Sequence, residues 1–391
     1  MSDEYIRSNL NNRFVLREAT QGDDQALRNL IAVPMTTRGV LLSFQREPSY
    51  FNASDVIYNN KLHVIIEDIE KKQIVACYSN GSRPCYVNGE IQNIRYVCDL
   101  RVDQNSRGQS LVKMVGQHFK QTMHDPHFSQ LIIFNDNHAA RAAVQTGKSG
   151  MPDYYNEGMI ETLTLTGFKK TNKLSQFLHD PHLNPHCSNL DDIQICQAEP
   201  QHVPLINQFI VEMSDYYNFI PTYDFAELLQ QGPYFRGLNL SHFSLYFKKD
   251  KLVGMFGLWD QHHFKQTKIL NYSRFIQLFR PIYNLYAVLT QRMPLPKKGG
   301  TFRYHLLHSL LCHPEDLTLH HKMVIDAHRL SKQRGCGVIS FTLSQKDPRC
   351  SLNQFYKGEK LVGMHGFVSF EQDPRVTLGK NRVPYFEVGR I

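Results

Sequence analysis

Tyr96-Val-Cys-Asp-Leu-Arg-Val-Asp-Gln-Asn-Ser-Arg-Gly-Gln-Ser-Leu-Val-Lys-Met-Val115 is the stretch from which the rest of the chain can be read. It runs as a strand, then a turn holding Arg107-Gly108, then the start of a helix. Such a turn leaves backbone N–H groups free at the positive end of a helix dipole, which makes an anion site. Gly108 permits the tight backbone, and Arg107 adds a fixed positive charge. Taken alone, the segment equally describes an ordinary strand-to-helix turn with a surface arginine.

The elements around it come in two series. Residues 14–31 and 193–210 each begin with alternating apolar residues, pass an alanine and a turn, and continue with apolar residues at helical spacing. Hairpins follow at 63–67 with 74–78, and at 243–247 with 252–257, each around a lysine-rich turn. Then a strand runs into a helix, at 94–102 with 109–123 and at 303–312 with 319–332. A buried strand comes next, at 131–134 and 338–342. Strands alternating with helices predict a layered α/β structure. Residues 171–190, with two prolines and a short histidine-rich run, read as a linker. The expected units are therefore 1–170 and 191–391.

The chain has 391 residues, a length for two domains, and 41% hydrophobic residues with 24 Phe and 19 Tyr, enough to fill two cores. A net charge of +8 suits an anionic ligand, but the basic residues are scattered in pairs at most, which argues against a nucleic-acid binder. Eight cysteines without a C-x-x-C pair read as reduced thiols. Residues 1–7 carry acids early and no apolar leader, and no run of apolar residues is long enough to span a membrane. A cytoplasmic protein without an integral membrane segment is expected.

Residues 96–115 resemble motif A of the GNAT superfamily of acyltransferases, a V-x-P strand followed by R-x-x-G-x-G/A at a helix start. Aligned from Val102, the arginine is Arg107, the two glycine positions are Ser110 and Val112, and Gln104 replaces the proline. Arg46-Glu-Pro-Ser-Tyr-Phe51 resembles the R-x-P-x-Y-F that precedes the first hairpin in many members. Asn137-His-Ala-Ala-Arg141 resembles the N-x-x-A helix placed beside pantetheine. The regions 150–165 and 272–296, and Arg382-Val-Pro-Tyr-Phe-Glu387, resemble a group of tandem members. The resemblance implies two tandem GNAT-like domains, each a mixed sheet flanked by helices. It implies an N-acyltransferase in which an acceptor amine attacks the thioester of acetyl-CoA or another acyl-CoA, with the acceptor an amine-bearing small molecule or peptide. The rival reading is a GNAT-fold protein that binds acyl-CoA or another ligand without turnover.

On that resemblance, Leu100, Arg101 and Val102 hold the pantetheine arm through their backbone, and a backbone N–H near them meets the oxyanion. Arg107, Gly108, Gln109, Ser110, Leu111 and Val112 hold the pyrophosphate, and Asn137 lies beside the arm. Candidate acid–base groups are Asp99 on the motif strand and Tyr154 and Tyr155, where a tyrosine often stands near the sulfur. Cys98 reads as a core thiol.

In the second series, Cys312-His-Pro-Glu-Asp-Leu-Thr-Leu-His-His321 occupies the motif position, with Leu317 in place of the arginine and no glycine. This unit is not expected to bind CoA. His305 and His308, three apart on a strand, should face opposite ways, and no metal site is expected among them, His313, His320 and His321. The aromatics of residues 270–291 form one apolar helical face, read as core or inter-domain contact, or functionally as a lid over the acceptor pocket.

Overall fold

The computed structural model describes residues 6–7, 13–37, 39–145, 150–290 and 293–391. The start of the chain, residues 1–5, on which the reading of a missing leader rests in part, and Gln291 lie outside them.

One 14-stranded sheet carries the molecule, thirteen strands in a line and the fourteenth, Ile220–Pro221, paired off that line with Gln73–Val87. From one edge it runs Ile6–Arg7, Phe14–Glu18, His63–Asp68, Gln73–Val87, Glu90–Val102 and Phe128–Phe134. Tyr356–Ser369 and Asp153–Phe168 follow at the centre. It continues through Ile339–Ser344, His305–Cys312, Lys251–Trp259, Phe243–Lys248 and Ile193–Gln197 to the other edge. Read inward from Phe14–Glu18 at one side and from Ile193–Gln197 at the other, the order is the same: the opening strand, the hairpin, the strand before a long helix, the strand after it. The α/β class is as expected. The mixed sheet flanked by helices is as expected; the sheets of the two halves run on into one another, and their two central strands are exchanged. Asp153–Phe168 pairs antiparallel with Ile339–Ser344 of the second half, and Tyr356–Ser369 pairs with Phe128–Phe134 of the first.

The helices are those of the apolar spacing. Leu111–Thr122 buries Leu111, Met114, Val115 and Phe119 against Val64, Ile66 and Tyr78 of the sheet, with Lys113 and Lys120 outside. Leu317–Gln333 does the same in the second half, and its Asp316 cap accepts from the Leu319 N–H at 2.9 Å. Asp24–Ile31 covers the opposite face of the first half with Leu27, Leu30 and Ile31. The largest apolar cluster joins the halves, with Tyr58 and Tyr96 packed among Phe209, Phe225, Phe243 and Trp259.

Two stretches differ from their sequence reading. The linker contains a helix, Asn172–His179, whose Leu174, Phe177 and Leu178 pack on the second-half core, and Asn184 beyond it is buried and bonded to Leu178 and Thr318. The aromatic stretch forms the helix Arg274–Thr290 after a strand, Gln266–Tyr272, which pairs with Val40–Gln45 of the first half. That helix turns most of its apolar side chains to solvent, so its face is not core. Among the described residues no helix is long and apolar enough to cross a membrane.

Candidate active site

Glu90–Val102 and Phe128–Phe134 are parallel neighbours, but they pair only at Arg95↔Ser129 and Tyr96↔Gln130. Beyond Tyr96 the two strands part. A bulge lies just past that point: Asp99 and Leu100 stand opposite Tyr78 alone, and Asp99 has φ 56°. A bulge in a left-handed conformation, unusual for a residue other than glycine, re-aims side chain and amide together.

The opening leads to the loop before Leu111–Thr122. Asp103 caps a short turn by accepting from the Asn105 N–H at 3.0 Å. Gly108 (φ 79°) and Ser110 (φ 60°) then curl the chain into the helix. The amides of Gly108, Gln109, Ser110, Leu111 and Val112 have no hydrogen-bond partner among the described residues. Nothing lies within 4 Å of where a Cβ of Gly108 would be, so the loop faces open space. Arg107 is exposed, and the Val112 side chain turns to the core cluster, leaving its amide at the helix end. Arg101 folds its guanidinium onto the Leu100 carbonyl, 3.0 Å away. This is a set of donors at a helix N-terminus beside the exposed Arg107, an arrangement that suits phosphate.

On the other face of the strand, Asp99 ends a buried polar chain. The Tyr50 hydroxyl donates to Asp99 Oδ2 at 3.3 Å and lies 2.7 Å from Ser79 Oγ, which is 2.7 Å from His63 Nδ1. Arg46 reaches Asp99 at 3.9 Å. The segment Arg46-Glu-Pro-Ser-Tyr-Phe51 and the motif strand therefore meet at one carboxylate. Burial pushes the His63 imidazole down to about 4, so it is neutral, and its Nε2 is buried without a partner. Cys98, facing the inter-half cluster, lies 3.0 Å from the Tyr58 hydroxyl, and burial pushes its thiol up to about 12, which makes it inert. Lys265 enters from the second half, donating to the Gly389 carbonyl at 3.0 Å. Desolvation, and after it the charge of Arg46, pushes its ammonium down to about 7 against the pull of Asp99.

Tyr154 and Tyr155 stand on opposite faces of Asp153–Phe168. Tyr154 packs with Leu131, Ile133 and Val97, residues on both sides of the opening, and its hydroxyl is buried without a partner. Burial pushes it up to about 12, so it stays protonated. Tyr155 is tied elsewhere: its hydroxyl donates to the Glu371 carbonyl at 3.2 Å and Arg375 lies over its ring. No hydrogen bond joins either tyrosine to Asp99 among the described residues. Asn137 caps the helix His138–Gln145, its Oδ1 accepting from the Ala140 N–H at 3.1 Å.

No family model and no curated protein matches the sequence. Solved structures match the fold. A Saccharomyces cerevisiae N-myristoyltransferase with bound myristoyl-CoA aligns over 95% of this chain and 86% of its own, at 12% identity and a TM-score of 0.57. The same enzyme with myristoyl-CoA and inhibitors aligns over 100% of this chain and 89% of its own, at 11% and 0.59. The GCN5-related glucosamine N-acetyltransferase region of a fungal multi-domain β-N-acetylglucosaminidase aligns over 90% of this chain and 38% of that one, at 11% and 0.56. The fold is the GNAT fold.

Within that fold the second half is closed. His305–Cys312 and Ile339–Ser344 also pair at only two positions, and Ser309 (φ 49°) bulges where Asp99 does in the first half. The end of the chain fills the gap. The Ser309 N–H donates to Glu387 Oε2 at 2.8 Å, and the Tyr385 and Tyr223 hydroxyls donate to the same oxygen at 2.8 and 3.3 Å. Arg390, fully buried, donates to His308 Nε2 at 3.1 Å and to the Tyr234 carbonyl at 2.8 Å, and its guanidinium lies 3.7 Å from the Tyr234 ring centre. An arginine only donates, so His308 Nε2 is an acceptor and the ring is neutral. Burial pushes Glu387 up to about 7. Gly389 passes over Trp259 where a Cβ would come within 2.6 Å of the ring. His305 turns the other way, to Ser331 Oγ at 2.8 Å.

The sequence did not single out His63, Ser79, Lys265 or Arg390, because their partners are brought to them only by the fold. It also missed His186, which meets His313 and Glu315 with ligand atoms within 4.8 Å of one another.

Proposed function

We propose that the chain is an acyl-CoA-dependent N-acyltransferase, with its chemistry in the N-terminal unit, residues 1–170. The observation that carries this reading is the opening beyond Tyr96 and Gln130, with unpaired loop amides at one end and the Asp99 bulge at the other. The GNAT fold, shared with structures that hold myristoyl-CoA, supports it. In this reading residues 107–112 take the pyrophosphate and the backbone of Leu100, Arg101 and Val102 takes the pantetheine arm, beside Asn137. The acyl group is acetyl in the simplest case. Cys98 and Ile132, facing the aromatic cluster from the two sides of the opening, offer an apolar wall to a longer chain.

The acceptor amine, of a small molecule or a peptide, attacks the thioester carbon. The C–N bond forms as the carbonyl pair moves to oxygen, and the amide of the Asp99 bulge meets that oxyanion, as the matching Ser309 amide meets the Glu387 carboxylate. Lys265, pushed down to about 7, takes the ammonium proton, with Asp99 and Arg46 orienting the incoming amine. The C–S bond then breaks, and Tyr154 donates to the departing thiolate. Thermal shift with acetyl-CoA through myristoyl-CoA tests binding, and stabilisation by at least one is expected. Release of free CoA over an amine panel tests turnover. Binding without release from any amine points to the ligand-binding rival, and no stabilisation by any acyl-CoA refutes the cofactor.

A further inference from the structure

The helix Arg274–Thr290 is amphipathic the wrong way round for a soluble protein. Its inner side, where Ala287 is buried, is held by polar groups: Arg280 and Asn284 donate to the Leu295 carbonyl at 3.2 and 3.0 Å, and the Tyr283 hydroxyl reaches the Met293 carbonyl. The Leu295 N–H returns a bond to Asn284 Oδ1 at 2.8 Å, so the strap of residues 293–296 pins this side. The outer line is Phe275, Leu278, Phe279, Ile282, Leu285 and Leu289, spaced by three and four and therefore on one face. Phe275, Leu278 and Leu289 are 70, 73 and 75% exposed. A contiguous apolar face of this kind marks a contact surface.

The charge around it narrows the occupant. Between Asp260 and Glu315 the sequence contains no acidic residue. Arg274 at the head of the helix, and Lys297 and Lys298 at the end of the strap, are exposed. Tyr272 ties the strap back to the helix head by donating to the Pro296 carbonyl at 2.7 Å, which puts these cations at one end of the apolar face. An anionic lipid surface would take the apolar side chains between its acyl chains and the lysines among its headgroups.

We propose that Arg274–Thr290 lies in the interface of an anionic bilayer and seats the protein on it. The strand Gln266–Tyr272, seven residues and roughly 23 Å at about 3.3 Å per residue, joins this helix to Lys265 of the proposed site.

The test uses the full chain and unilamellar vesicles of phosphatidylcholine, alone or with one-third phosphatidylglycerol. Co-sedimentation should show binding to the anionic vesicles, weakened at least about tenfold by Leu278→Gln with Leu285→Gln, by Lys297→Gln with Lys298→Gln, or by omitting phosphatidylglycerol. These positions are exposed, so unfolding midpoints should not move. The only tryptophan, Trp259, is buried, so Phe279→Trp adds a reporter whose emission should shift to the blue on vesicles. Absence of vesicle binding, or binding indifferent to the leucine pair, overturns the proposal. So does a lipid-free dimer that the leucine pair dissolves, which would give the face to a second copy. Vesicle binding needs no acyl-CoA, so this outcome and that of the transferase reading are independent.

Discussion

Glu387→Gln isolates a single buried proton. The Glu387 carboxyl is 2% exposed, and burial raises it from 4.5 to about 7 although three donors face one of its oxygens. The unfolded chain loses this proton near pH 4.5, while the folded chain keeps it until near pH 7. Between those values the folded state binds more protons, so its stability falls as pH rises. At about 1.4 kcal/mol per pKa unit, the gap makes about 3 kcal/mol, present below pH 4.5 and lost above pH 7. Glutamine keeps an oxygen for the Ser309, Tyr385 and Tyr223 donors and cannot titrate. The stability difference between variant and wild type should therefore shift in favour of the variant by about 3 kcal/mol from pH 4.5 to pH 7.5. Urea unfolding followed by Trp259 emission reads it, since Trp259 packs in the same cluster as Tyr385 and Tyr223. Parallel stability curves across that range would refute the account, because they would mean Glu387 is ionised in the folded protein from the start.

Three further outcomes bear on the proposed chemistry. Arg107→Ala should weaken acyl-CoA binding by calorimetry about tenfold, the loss of one charge-assisted contact to phosphate, and unchanged affinity would place the phosphates elsewhere. Tyr154→Phe should lower kcat by roughly 10- to 100-fold at constant KM for the acyl donor, while the fold is kept or gains about 1 kcal/mol, since the hydroxyl is buried without a partner. If kcat is unchanged, Tyr154 is packing alone. The rate should rise with pH through a midpoint near 7 as Lys265 loses its proton, and Lys265→Met should remove that limb and about 100-fold in rate; an unaltered profile assigns the base to another group.

Local periodicity carried the order of strands and helices, because each element buries one face and writes that in its sequence. It could not tell which strand would sit beside Phe128–Phe134: both central strands are long enough, and pairing is a property of the assembled sheet. Residues 274–290 depart from the sequence reading for a physical reason. Three-four spacing of aromatics states that they share a face, not whether that face meets protein or solvent, and here the polar side is the one tied down by the strap. Of the proposed site, Arg107 and Asp99 can be picked out in the sequence because neighbours in sequence set their context. Lys265 and His63 cannot, since their shifted protonation comes from burial against distant chain. A left-handed aspartate is equally silent, as only glycine advertises that conformation.

The exchanged central strands bear on the order in which the molecule can be made. Ser369 bonds the His127 carbonyl across 242 residues, and the strand holding Ser369 is the only described partner on that side of Phe128–Phe134. On a ribosome adding roughly 5–20 residues per second, the first half would wait tens of seconds with that edge open. The opening beside Phe128–Phe134 would take shape only once Tyr356–Ser369 had emerged and threaded home, so the nascent chain should lean on chaperones until then.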